Sequence, residues 1–285
     1  MKYKKSGMTL VELLVVLSII ALLVGVLIPA LNMVQRTARE TKQLHQLNTI
    51  ELALEAFKND YGDYPPSDGW TTNPSAGPLD YCGAQKLAEA LLGWDLLGFH
   101  PRSDFRANGR NDNGEYVYDA NVPILFDQRR SPYLELASDN VFRLGTTAYR
   151  PGLFAVDTRP LKPDTYVICD AFVKQKVKLA NGKTVSAGAP ILYYRANTSQ
   201  KLIRGIYNPR DNDAIVQIKE LADGRGENRH PLGIEDNDYL FFYDYIRDPK
   251  IEARAWPYRP DSYILISAGA DGLYGTGDDI RNFGN

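Results

Sequence analysis

Cysteine and histidine are scarce in this sequence, and that removes several classes of chemistry at once. The two cysteines, Cys82 and Cys169, lie too far apart for a C-x-x-C redox or zinc motif. The three histidines, His45, His100 and His230, are scattered without ligand spacing. In an oxidising compartment the two thiols are free to pair, whereas as separate buried thiols they serve packing alone. The sequence leaves both open, because it does not place their Cα atoms within bridging distance. Positive charge is not in excess either. Lys and Arg number 33 against 35 Asp and Glu, a net charge of −2, so there is no electrostatic footprint for nucleic acid. No G-x-S-x-G, H-E-x-x-H, Walker A or strand-following G-x-G-x-x-G occurs. Carboxylates are plentiful in the middle of the chain, but no pair is singled out as a glycosidase site. No internal repeat and no low-complexity tail is found. The expectation is a protein that is not an enzyme.

What is present begins at the N-terminus, MKYKKSGMTLVELLVVLSIIALLVGVLIPALNMVQ. Nineteen residues, Leu13 to Leu31, carry no charge, while Glu12 stands at the front of that run. Lys2, Lys4 and Lys5 precede it. A secretory signal peptide has such a basic start, but this run is long, and Leu27-Ile28-Pro29-Ala30 puts Ile28 where a small residue is wanted before the cut. A plain transmembrane helix has the right length, about 20 apolar residues, and the lysines orient its N-terminal end to the cytoplasm. A generic anchor has no use for Glu12, because a carboxylate at mid-bilayer costs roughly 2.5–3.5 kcal/mol, less near an end. A local explanation is a capping box, Thr9-x-x-Glu12, satisfying two amides at a helix start.

Lys5-Ser6-Gly7 followed by Met8-Thr9-Leu10-Val11-Glu12 resembles the class III signal of type IV pilins and type II secretion pseudopilins. The resemblance implies that a prepilin peptidase cuts after Gly7 on the cytoplasmic side and methylates the new N-terminus, Met8. Glycine at the cut lets the peptidase approach the backbone. The apolar segment is kept, and Glu12 becomes the fifth residue of the mature chain, the family's acidic position. Family proteins usually have Phe where Met8 stands. Pro29, with Gly25 before it, matches the family's helix-loosening proline. The implied partners are further copies of the chain in a helical filament, the prepilin peptidase, the membrane, and an inner-membrane assembly platform with its cytoplasmic ATPase. The implied location is the bacterial inner membrane, single-pass, with the globular domain outside the cytoplasm. Two alternatives stand beside the pseudopilin: a type IV pilin for adhesion, motility or DNA uptake, and an anchored extracytoplasmic binding protein or enzyme.

The expected fold class is α+β, a pilin-like fold with a long N-terminal helix on an antiparallel sheet. Its parts are a leader over 1–7, an apolar helix half over 8–31, an amphipathic half over 32–60 and a globular domain over 61–285. Leu44, Leu47, Ile50, Leu54, Phe57 and Tyr61 recur at gaps of three or four and predict one apolar stripe needing a partner. A helix from Met8 to about Asn59 would be roughly 80 Å long at 1.5 Å per residue, weakened where Gly25 and Pro29 interrupt it. Tyr61-Gly-Asp-Tyr-Pro65-Pro66 ends it. A short helix is expected from Gly83 to about Leu97, and strands over Asp164–Val177, Ala189–Arg195, Tyr239–Tyr245 and Ser262–Ser267. Asn181-Gly182-Lys183 predicts a turn after the first of these strands. Residues 67–235 form an enlarged middle relative to the family's usual soluble domain, and 261–285 hold the terminal strand and an acidic loop.

That loop, SAGADGLYGTGDDIRNFGN, sets Asp271, Asp278 and Asp279 among Gly269, Gly272, Gly275 and Gly277. Hard oxygen ligands on a glycine-shaped loop suit calcium. It also resembles the C-terminal loop of the major type II secretion pseudopilin, which implies calcium held by Asp271, by Asp278 or Asp279, and by carbonyls at Leu273 and Ser267. The competing reading is a hairpin turn with solvated aspartates.

Overall fold

The computed structural model describes residues 10–68, 81–135, 140–147, 150–154, 161–179, 181–218, 230–233 and 239–284. The chain divides into two compact units, Met1–Thr41 and Lys42–Asn285. Helix α1, Leu10–Tyr61, is continuous through Gly25 and Pro29.

In the first unit the described residues are helical and almost all exposed. Leu13, Leu17, Ile20, Val24 and Leu27 are among the bare apolar side chains. A helix apolar all round is stable in lipid or against other apolar helices, not alone in water. This helix is long and apolar enough to cross a bilayer. Past the run, Arg36 Nε meets Glu40 Oε1 at 2.8 Å.

In the second unit the last turns of α1 bury Gln43, Gln46, Leu47, Ile50, Ala53, Leu54 and Phe57. The expected stripe is thus shifted at its start: Leu44 is 43% exposed and two glutamines take the inner face. The reason is the surface they meet. Gln46 Nε2 donates to the Cys169 carbonyl at 3.0 Å, and Ala171 N donates to Gln43 Oε1 at 2.6 Å. Leucine there would leave those backbone groups unmet. α1 ends at Tyr61, where Gly62 turns into the left-handed region at φ +84° and its N–H closes on the Lys58 carbonyl.

The central sheet has strands β5 (Leu192–Arg195), β6 (Tyr263–Ser267) and β7 (Ile280–Arg281) in that order, all antiparallel. Leu192 pairs with Ile266, and Ser267 pairs with Ile280. Every residue of β6 is buried. Alternation along the strand divides its side chains between two cores. Tyr263 and Leu265 join Tyr193 and the α1 residues Leu47, Ile50, Leu54 and Phe57, whereas Ile264 and Ile266 join Leu192 and Tyr194 on the other face.

Between α1 and β6 lie α2 (Gly83–Leu92), α3 (Pro123–Asp127), β1 (Val141–Arg143), β2 (Tyr166–Ile168), β3 (Gln175–Lys178), β4 (Thr184–Ala187), α4 (Ile203–Ile206), α5 (Asp213–Val216) and α6 (Leu240–Tyr245). β1 pairs with β2, and β3 with β4 across the expected turn at Gly182. The enlarged middle is therefore no appendage, since it supplies β5 to the central sheet and α2 to both cores.

Four sequence expectations are corrected. Asp164–Val177 is two strands, broken around Asp170. Ala189–Arg195 shortens to β5. The helix from Gly83 stops at Leu92, where Gly93 donates back to the Glu89 carbonyl at 2.7 Å. Tyr239–Tyr245, expected as a strand from its aromatic content, is α6. Tyr239 enters it at φ +54°, which an extended strand does not allow, and only Phe242 is buried. Aromatic strand preference reflects packing on a sheet, and no described strand pairs with this segment. Cys82 and Cys169 are both free and buried, so the packing reading of the two thiols holds.

Candidate functional site

β6 ends at Ser267 and β7 begins at Ile280, so sheet pairing fixes both ends of the acidic loop. Inside it, Asp278 accepts the Asp271 backbone N–H at 2.9 Å and the Thr276 hydroxyl at 2.6 Å. Asp271 in turn accepts the Leu273 N–H at 2.7 Å. Gly269, at φ +64°, has no room for a side chain because Asp278 lies against it. The two carboxyls are close enough to perturb each other. Burial and the neighbouring Asp278 raise Asp271 above the usual carboxylate range. Burial also pushes Asp278 up, but its bonds from Thr276 and Asp271 outweigh that and leave it lowered.

Asp279 does not join them. Its Oδ2 accepts the Gly275 N–H at 2.7 Å and the Tyr245 hydroxyl, and its Oδ1 is buried without a partner. Burial pushes its carboxyl up to about 7. The Leu273 carbonyl lies 3.2 Å from the Thr276 hydroxyl. The Lys174 ammonium donates to the Asp271 carbonyl at 2.6 Å. Of the expected ligands, the structure brings together Asp271, Asp278 and Leu273 and turns Asp279 toward α6. Among the described residues, no group of three or more Asp, Glu, His or Cys is placed to hold a metal ion. Two facing carboxylates with adjacent carbonyls fit a hard cation that would relieve their repulsion, as a partial shell.

Sequence reasoning missed the carboxylate beneath the loop. Asp170, 1% exposed, accepts the Phe172 and Ala189 N–H groups at 3.2 and 3.1 Å and the Ser267 hydroxyl at 3.0 Å. Burial raises it to about 7. It joins the break after β2, the approach to β5 and the end of β6. A polar residue interrupting the expected strand was its signal. Asn108 and Asn208 cap turns: they accept the backbone N–H of Arg110 and Arg210 at 3.0 and 3.2 Å.

At the other end of the chain, Glu12 lies in the first turn of α1. Its negative charge is favoured there by the exposed N–H groups and dipole of a helix start. Pro29 lies within the helix. Gly7, Met8 and Thr9 are outside the described residues. A family model, the prokaryotic N-terminal methylation motif, matches residues 2–28. This is the type IV pilin and pseudopilin signal. Neither a curated protein nor a solved structure matches the chain. The prepilin-type signal implies processing by a prepilin peptidase and filament assembly in a membrane system, and the helix near the N-terminus is long and apolar enough to serve as an anchor. The α+β arrangement of a long N-terminal helix followed by small antiparallel sheets fits the pilin-like architecture. The motif ends at residue 28, one residue before Pro29.

Proposed function

We propose that this chain is a structural subunit of a type II secretion pseudopilus or a related type IV pilus-like filament, and that it catalyses nothing itself. The observation that carries the reading is the methylation motif over residues 2–28 with Glu12 at the head of the uncharged run Leu13 to Leu31. Cleavage after Gly7 leaves an amine on Met8. In a filament the Glu12 carboxylate of one subunit meets the Met8 amine of its neighbour. Pairing the two charges across subunits lowers the cost of holding each in apolar surroundings, so filament is favoured over bilayer. Work comes from polymerisation driven by a separate cytoplasmic ATPase. The subunit begins as a single-pass inner-membrane protein with its globular unit outside the cytoplasm. The acidic loop favours the pseudopilus over an adhesive or motility pilus. There calcium sits between Asp271 and Asp278, with carbonyl oxygens including that of Leu273.

Intact mass of the protein from membranes tests the reading. Loss of residues 1–7 and gain of one methyl group on Met8 is expected. A full-length N-terminus in cells that hold the peptidase refutes it and leaves an anchored binding protein or enzyme.

A further inference from the structure

In the second unit, nitrogen donors of His100 and Arg129 are buried with nothing to accept them among the described residues. An isolated antiparallel bridge joins Phe99 to Arg130, whose N–H donates to the Phe99 carbonyl at 2.8 Å. The same register sets His100 opposite Arg129, with both side chains on the face away from Phe99 and Arg130. They meet one ring. The Tyr118 centroid lies 6.2 Å from that of the imidazole and 5.2 Å from the guanidinium carbon of Arg129. His100 is fully buried, and the Arg129 side chain is 2% exposed.

Each side chain has one committed edge and one open edge. Arg129 Nη1 donates to both oxygens of Asp95 at 2.8 and 2.7 Å, so that ion pair occupies a single nitrogen. Nε and Nη2, an edge of the guanidinium that can grip two oxygens at once, have no partner among the described residues. The Arg102 backbone N–H donates to His100 Nδ1 at 3.1 Å. That bond assigns the proton of the neutral imidazole to Nε2, and Nε2 is likewise buried without a described partner. Burial, then the positive charges of Arg129 and Arg102, hold His100 below the usual imidazole range. The nearby carboxyls stand elsewhere. Asp95 is on the Nη1 side. Glu89 lies at the hydroxyl end of Tyr118, where its Oε1 accepts the Tyr118 hydroxyl at 2.8 Å and the Ser103 hydroxyl. Glu89 Oε2 is also buried without a described partner, and burial raises this carboxyl toward its neutral form.

Buried donors in folded proteins are met by an acceptor. A water accepts two hydrogen bonds and brings two hydrogens of its own. Donors set beside a fixed positive charge suit a group that only accepts. The planar Nε–Nη2 edge matches the paired oxygens of a carboxylate or phosphate, and burial on all sides keeps the occupant small. We propose that Arg129 and His100 form an internal binding site for a small oxyanion of the carboxylate or phosphate class, gripped by Arg129 Nε and Nη2 and capped by His100 Nε2–H. The Tyr118 ring is its floor. Asp95 acts as a positioning residue, because it holds the guanidinium by Nη1 and leaves the other edge open. The site lies wholly in the second unit and does not depend on the filament reading.

The test uses full-length protein in detergent and a buffer free of metal ions. Formate, acetate and phosphate are titrated in turn, each against sodium chloride at equal ionic strength. Melting temperature is read, and titration calorimetry gives the affinity. A saturable rise with at least one oxyanion is expected, since it binds the folded state alone. Arg129→Lys keeps a cation for Asp95 but loses the two-nitrogen edge, and should weaken binding by about tenfold or more. His100→Asn keeps an acceptor for the Arg102 N–H, as Asn108 does for Arg110. It withdraws the Nε2 donor and should weaken binding severalfold. Arg110→Lys, at an exposed position, should leave binding unchanged. Should Arg129→Lys fail to fold, His100→Asn and calorimetry of the unaltered protein decide. Full affinity in the Arg129 and His100 variants places the anion elsewhere and overturns the proposal. No saturable effect from any of the probes leaves the donors to water and overturns it. An equal effect from chloride assigns a halide and overturns the oxyanion class.

Discussion

Asp170 makes the most quantitative prediction. Its carboxyl is buried where Phe172, Ala189 and Ser267 donate to it, and burial raises it from 3.8 to about 7. An acid raised in the folded state holds its proton longer than in the unfolded chain. Its contribution is therefore complete below about pH 4 and lost as pH rises toward about 7. The difference of roughly three pH units corresponds to about 4 kcal/mol at 1.36 kcal/mol each, an upper figure for one buried group. Asp170→Asn keeps an acceptor for the two backbone N–H groups and offers its amide to the Ser267 hydroxyl, without any charge to bury. The prediction is that Asp170→Asn is close to the parent at about pH 4 and more stable at pH 8 by about 1–4 kcal/mol. Urea unfolding of detergent-solubilised protein in the presence of chelator, at both pH values, measures it. His230 works in the opposite sense. Burial lowers it to about 4, so its neutral packing is lost as pH falls from about 6.5 to 4. The comparison of Asp170→Asn with the parent cancels that background. If the variant and parent keep a constant stability difference across this range, Asp170 does not titrate as argued. A less stable variant at pH 8 would refute the reasoning outright.

Glu12→Leu should leave precursor insertion and cleavage intact but abolish assembly, read as membrane-retained monomer by fractionation; normal filaments would rule out the charge-pairing role. Gln46→Leu removes the donor to the Cys169 carbonyl and should destabilise the second unit by about 1–3 kcal/mol, measurable by urea unfolding. Phe57→Ala opens a cavity where Phe99, Tyr61 and Tyr133 meet its ring, and a loss of about 3–5 kcal/mol is expected by the same assay. Calcium should raise the melting temperature, and a chelator lower it, through binding to the folded state alone; Asp271→Asn should erase the shift, and a chain indifferent to both reagents has no calcium site. Cys82, pushed up to about 12 by burial, should resist thiol reagents at pH 8 until the chain is unfolded, because the thiolate is the reactive form.

The methylation motif was legible because its signal is local. A basic start, an acid at position 12 and a charge-free run need no tertiary partner to be recognised. The end of α1 at Gly62 and the turn at Gly182 were legible for the same reason, since glycine there answers a demand of the local backbone. SYILIS was legible as a strand because its apolar run is short and rich in branched and aromatic residues.

The sequence by itself determined the apolar run, the processing signal, the α+β class and the central strand, all properties of contiguous residues. Tertiary structure alone decided the rest. It placed Gln43 and Gln46 rather than Leu44 on the inner face, because a strand break with open backbone groups lies opposite. It made YLFFYDY a helix, because no strand edge among the described residues receives it. It set Asp170 beneath the acidic loop and turned Asp279 away from Asp271 toward Tyr245. Each of these depends on which distant backbone or side chain arrives nearby, and a pattern along the chain carries no record of that arrival.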